Sequence, residues 1–135
     1  MMKTVGLWID LQKAVIVSTT EQVFDIEFVN SNIDSRRWQL DVWELPPAIR
    51  QRMSDDQLGR FYKNVSGCVL DARSIFIFGP GEAKSELRMQ LGADNYGGTI
   101  VGFESAGSMT NSQIVNKVQS RFEDECVFLG PAMRV

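Results

Sequence analysis

One stretch restricts the fold more than any other: Ser74-Ile75-Phe76-Ile77-Phe78-Gly79-Pro80-Gly81-Glu82-Ala83-Lys84. Ile75, Phe76, Ile77 and Phe78 are apolar without alternation, which suits a central strand covered on both faces. Gly79-Pro80-Gly81 then makes a tight turn, and a helix opens after it. A strand buried on both faces needs a layer of structure on each side, so the chain reads as an α/β sheet with helices packed on its faces. The turn falls at the strand's carboxyl end, where open α/β sheets usually hold their ligands.

The flanking sequence supplies the rest of the sheet. Residues 4–10 and 14–19 are apolar and β-rich, and a short turn at Asp10-Leu11-Gln12-Lys13 joins them. Residues 22–30 have a period of two: Phe24, Ile26 and Phe28 alternate with Asp25 and Glu27. One face of this third strand is expected to be buried and the other wet, as at a sheet edge. Turns this short make the three strands an antiparallel meander. Residues 31–53 form an irregular insert, broken by Ser31-Asn32 and Pro46-Pro47, with room for a short helix over 48–53. The first long helix is expected to start at Ser54, with Gln57 completing a capping box and Met53 stapling to Leu58. Its apolar face is Leu58, Phe61, Tyr62, Val65 and Val69. Gly59 and Gly67 weaken it by about 1 kcal/mol each unless packing requires them. After the central strand, Ala83, Leu87 and Leu91 mark a second helix that Gly92 should stop. Residues 99–103 read as a fifth strand. Thr110 and Gln113 box the start of a last helix, Met109 staples to Ile114, and Cys126-Val127-Phe128-Leu129 follows as an apolar coda.

The element order is thus β-β-β-α-β-α-β-α. With right-handed crossovers it gives a mixed five-stranded sheet with helices on its faces, the ribonuclease H-like arrangement. The chain has 135 residues, enough for one such domain spanning 1–135. Nucleases, sugar kinases and translation components share this fold, so it does not decide function.

Composition removes several chemistries. There is no histidine, which excludes Ser-His-Asp and Cys-His triads, His-ligated zinc and a histidine base. The net charge of −3 disfavours a surface that coats nucleic acid non-specifically, though not a local basic patch. Cys68 and Cys126 lack metal-type spacing and are expected to be packed, reduced thiols. No apolar run approaches the roughly 20 residues that span a bilayer, so a cytoplasmic protein without membrane contact is expected.

Four constellations could carry chemistry. At Gly79, Gly81 and Lys84, with Arg88 one turn on, a helix N-terminus offers free N–H groups to an anion. Lys84 opposes the helix dipole there unless an anion joins it, which makes an RNA phosphate a candidate ligand. Against this, the glycines could simply shape the turn while Lys84 faces water or pairs with Glu86, and Glu82 already supplies negative charge. The spacing is not that of a Walker loop. Asp10 ends the first strand, where a metal-dependent nuclease of this fold places a carboxylate, but the central strand ends in glycine rather than an acid. The alternative for Asp10 is a turn residue. Arg36 and Arg37 beside Trp38 could hold a phosphate and stack a base, or pack as a loop or dimer contact with Trp43. Lys117 and Arg121 read as a solvated helix face.

The segment Ile75-Phe76-Ile77-Phe78-Gly79-Pro80-Gly81-Glu82-Ala83-Lys84 resembles the strand–Gly-Pro-Gly-x-x-Lys–helix signature of the middle domain of Pelota, a relative of eukaryotic and archaeal release factors. The chain also resembles small bacterial proteins of the same translational-machinery-component kind, through Val5-Gly6-Leu7-Trp8-Ile9-Asp10, Phe61-Tyr62 and Met109-Thr110-Asn111-Ser112-Gln113-Ile114-Val115. The resemblance covers nearly the whole chain outside 31–53. It implies a translation-associated or RNA-binding protein that is not an enzyme, uses no cofactor, and has the ribosome or RNA as partner. The Gly-Gly-Gln loop with which release factors hydrolyse peptidyl-tRNA is not matched, because Gly97-Gly98 precedes Thr99. Two other readings stand beside this one: a divalent-metal phosphodiesterase using Asp10, and a homo-oligomer, at its simplest a homodimer, joined through Trp38 and Trp43 without nucleic acid.

Overall fold

The computed structural model describes residues 3–20, 23–31 and 47–129, with side chains throughout except at 47–54 and 123–129. The elements are β1 (Lys3–Ile9), β2 (Lys13–Thr20), β3 (Val23–Asn30), α1 (Pro47–Val69), β4 (Ser74–Gly79), α2 (Ala83–Ala93), β5 (Thr99–Ser105) and α3 (Asn111–Leu129). They build a five-stranded sheet in the order β3-β2-β1-β4-β5. β1–β2 and β2–β3 are antiparallel, while β1–β4 and β4–β5 are parallel. The fold is ribonuclease H-like, as the element order predicts.

Strand alternation sorts the core into two layers. Val5, Leu7 and Ile9 of β1, with Ile75 and Ile77 of β4, face α1 and α2, where Phe61, Val65, Leu87 and Leu91 meet them. Trp8 of β1 and Phe76 and Phe78 of β4 face α3, where Ile114 and Val118 meet them. All four apolar residues of β4 are therefore buried, two on each side. Each such side chain contributes about 1.5–3 kcal/mol when fully buried. Gly6 is where α3 comes closest, since a Cβ there would collide with Val118. The start of α3 forms the expected capping box: the Gln113 N–H donates to Thr110 Oγ1 (3.2 Å), and the Thr110 N–H to Gln113 Oε1 (2.9 Å).

Several expectations are corrected. β3 is a strand at the sheet edge, but Phe24, Ile26 and Phe28 are 46%, 42% and 55% exposed. They lie on the α3 side of the sheet, opposite Thr19, Val17 and Val15, and α3 packs over β1 and β2 rather than β3. Helix α1 does not start at Ser54; it runs unbroken from Pro47. A proline opens a helix without loss, because its missing N–H would have no partner in the first turn. Residues 47–53 of the expected insert are thus helical, and residues 32–46 lie outside the described residues. The stop of α2 is Asn95 rather than Gly92: Asn95 takes the left-handed conformation (φ 60°), and the Tyr96 N–H returns to the Leu91 carbonyl (2.9 Å). The run from Cys126 to Leu129 continues α3 instead of following it. Among the described residues, no helix is long and apolar enough to cross a membrane.

Candidate functional site

The end of β4 is held by close approach. Gly79 has φ 149°, and a Cβ on it would strike the backbone carbonyl of Ile9 at the end of β1. Its own carbonyl accepts the Ala106 N–H (3.1 Å), which ties the loop after β5 to the same spot. Gly81 is left-handed at φ 65° in open space. Both glycines therefore shape the turn, whatever else the turn does.

Helix α2 follows directly. No side chain hydrogen-bonds to cap it at Glu82; the Ser85 N–H already donates to the Glu82 carbonyl (3.0 Å), and only the N–H groups before it lack an acceptor within the helix. Lys84 does not face water or pair with Glu86. It is 7% exposed, and its Nζ donates to the Gly81 carbonyl at 2.6 Å. Its ammonium also lies 5.9 Å from the ring centre of Phe103 on β5. Arg88, one turn later and exposed, places its guanidinium 5.1 Å from the same ring. The turn thus gathers two cations on one aromatic face beside a helix N-terminus. An ammonium has three donors, and the Gly81 carbonyl takes one. Phe103 was not singled out by sequence; its signal was its place in a strand beside the turn, and only the β4–β5 register, Ile77 opposite Phe103, brings it under α2.

The other constellations sit elsewhere. Asp10 Oδ1 accepts the N–H groups of Gln12 and Lys13, both at 2.8 Å, and so closes the β1–β2 turn. Among the described residues, no group of three or more His, Cys, Asp or Glu side chains converges to hold a metal. Arg36, Arg37, Trp38 and Trp43 lie outside the described residues. Lys117 and Arg121 are not a solvated face. The Lys117 ammonium lies 6.0 and 5.8 Å from the ring centres of Phe76 and Phe78, and pairs with Glu104 at 3.3 Å. Arg121 lies 5.4 Å from the Phe76 ring and donates through Nη2 to the Val101 carbonyl. Cys68 is a free thiol whose pKa is raised, first by burial and then by Glu27, which suits a packed group rather than a nucleophile.

The fold recurs in known structures. An archaeal translation termination factor, aRF1, matches 87% of this chain with a TM-score of 0.58 and 11% identity, over 34% of its own length. Pelota from Archaeoglobus fulgidus matches 93% of the chain with a TM-score of 0.53 and 15% identity, over 33% of its length. Pelota from Thermoplasma acidophilum matches 88% with a TM-score of 0.50 and 18% identity, over 32% of its length. The chain therefore spans about a third of each of these proteins. No protein-family model and no curated protein matches the sequence. Identities this low speak for the fold alone.

Proposed function

We propose that this is a non-catalytic, translation-associated binding domain that holds an RNA phosphate at the carboxyl end of β4. The observation that carries the reading is the convergence of Lys84 and Arg88 on Phe103 beside the uncapped start of α2. Two like charges on one ring repel each other, and the helix dipole adds to that repulsion. A phosphate between them removes both costs and accepts the guanidinium's paired N–H groups. Gly79 and Gly81 contribute by keeping side chains away from the approach. The shared fold of an archaeal termination factor and two Pelota proteins supports a partner on the ribosome. Asp10, engaged by two backbone N–H groups, serves the turn rather than a reaction.

The test is a crosslinked pull-down of the full chain from cells. Ribosomal RNA is expected with the wild type and is lost in the Lys84→Ala/Arg88→Ala double variant. Equal recovery by both proteins, or none by either, refutes the reading.

A further inference from the structure

Phe103 reaches Lys84 and Arg88 because β5 breaks step. Ile100 pairs with Ile75, but Phe76 then pairs with Gly102, and Val101 has no partner in the ladder. An extra residue in one strand is a β-bulge, rare between parallel strands and common where a side chain must be re-aimed. Its consequence follows from the strand's period of two. Ile100 packs with the core under α1 and α2, and Val101 with the core under α3. Gly102 also looks towards α3, since a Cβ there would stand 2.6 Å from the Phe76 ring. Phe103 therefore returns to the α2 side, opposite Ile77. In regular pairing Val101 would meet Phe76, and Phe103 would meet Phe78, whose ring lies in the α3 core. Lys84 and Arg88 would then have no ring beneath them.

The bulge is held from the other face of the sheet. Arg121 of α3 donates through Nη2 to the carbonyl of Val101, the residue that the ladder leaves out. Its Cζ lies 3.4 Å from where a Gly102 Cβ would stand, and 5.4 Å from the centre of the Phe76 ring. The glycine at 102 thus leaves the space that the guanidinium fills. Arg121 Nε is buried without a hydrogen-bond partner among the described residues, a cost that a solvated arginine would not carry. The other cation on this face, Lys117, pairs with Glu104 instead.

We infer that Arg121 is a positioning residue for the phosphate site: by holding the Val101 bulge, it sets the phase of β5 that puts Phe103 beneath Lys84 and Arg88. The functional consequence rests on the phosphate reading, while the placement of Phe103 does not. Arg121 itself lies across the sheet from the anion.

The experiment is proton–carbon NMR of the Lys84 ε- and Arg88 δ-methylenes in the full chain, with single-stranded RNA affinity measured on the same samples. The Phe103 ring shifts these protons upfield, and Phe103→Leu marks their unshifted positions. Arg121→Met should move them to those positions and weaken RNA binding several-fold. Arg121→Lys, which can still donate to a carbonyl, should keep most of the shift. Deleting Val101 removes the bulge yet leaves Phe103 opposite Ile77, so the shift should persist. Adding Arg121→Met to that deletion should then change neither shift nor affinity. The inference is overturned if Arg121→Met keeps the wild-type signals, or if it moves them as far in the Val101 deletion as in the wild type. Signals that move as expected, with no RNA bound even by the wild type, refute the phosphate reading alone and support the hold of Arg121 on Phe103.

Discussion

Lys84 and Arg88 on one flank of α2 lie against the ring of Phe103, whereas Glu82 and Glu86 on the other face an open cleft. Each flank is a pair spaced by four residues, so each helix edge carries like charges stacked one above the other. Such pairs cost an isolated helix about 0.2–0.5 kcal/mol. Between them run Ala83, Leu87 and Leu91, buried on the sheet, which fix the helix and keep the two edges apart. The flanks differ in what stands opposite. β5 fills the cationic side with an aromatic ring, while Gly59 leaves the acidic side empty. One helix thus presents two edges of opposite sign; the dipole at its N-terminus favours the carboxylates of Glu82 and Glu86 and disfavours the charge of Lys84.

The largest expected effect removes the turn that carries the cationic flank. Gly79→Ala puts a Cβ into the Ile9 carbonyl at a left-handed φ, and should cost about 3 kcal/mol or more by urea unfolding. If RNA binding does not fall in that variant, the cationic flank does not depend on the turn for its support.

The next effect reads the burial of Tyr62 on the α1 side by pH. Tyr62 has its folded pKa raised from 10.0 to about 12. Its contribution to stability is therefore complete below pH 10 and is lost as pH climbs towards 12, because the unfolded chain ionises first. The urea midpoint of the wild type should fall over that window more steeply than that of Tyr62→Phe; parallel slopes would contradict a hydroxyl whose pKa is raised, first by burial and then by Glu86.

Smaller again is Lys84→Met, which strands the Gly81 carbonyl and should cost about 1 kcal/mol by urea unfolding. An unchanged midpoint would mean that this hydrogen bond adds nothing to the turn. Gly59→Ala should be the mildest, a gain of roughly 0.5–1 kcal/mol in thermal unfolding. A loss there would mean that α1 needs the glycine for packing.

β4 was legible because four consecutive apolar residues leave no wet face to choose. β3 was half legible: alternation gives the strand, but burial depends on which helix lies above, and α3 stops short of the edge. Pro46-Pro47 reads as a breaker, yet Pro47 starts α1, since a proline's effect depends on which side of the helix boundary it stands. The placement of Lys84 and Arg88 beside the turn that Gly79 and Gly81 shape was legible from their spacing. The fold of Lys84 onto the Gly81 carbonyl was not, because a long side chain's path depends on neighbours far away in sequence. The cleft left one trace, an interior helix glycine at 59 with no evident purpose. Its meaning required α1 and α2 to lie side by side, which the sheet order decides.

The most direct measurement is fluorescence anisotropy of a labelled single-stranded RNA, titrated with the wild type, Lys84→Met/Arg88→Gln and Glu82→Gln/Glu86→Gln over a range of salt. The account predicts that the cationic double variant loses affinity and that its salt slope falls by about 0.7 per cation removed. The acidic double variant should bind as tightly as the wild type or tighter. The same affinity and the same slope in the wild type and in Lys84→Met/Arg88→Gln would contradict the phosphate site.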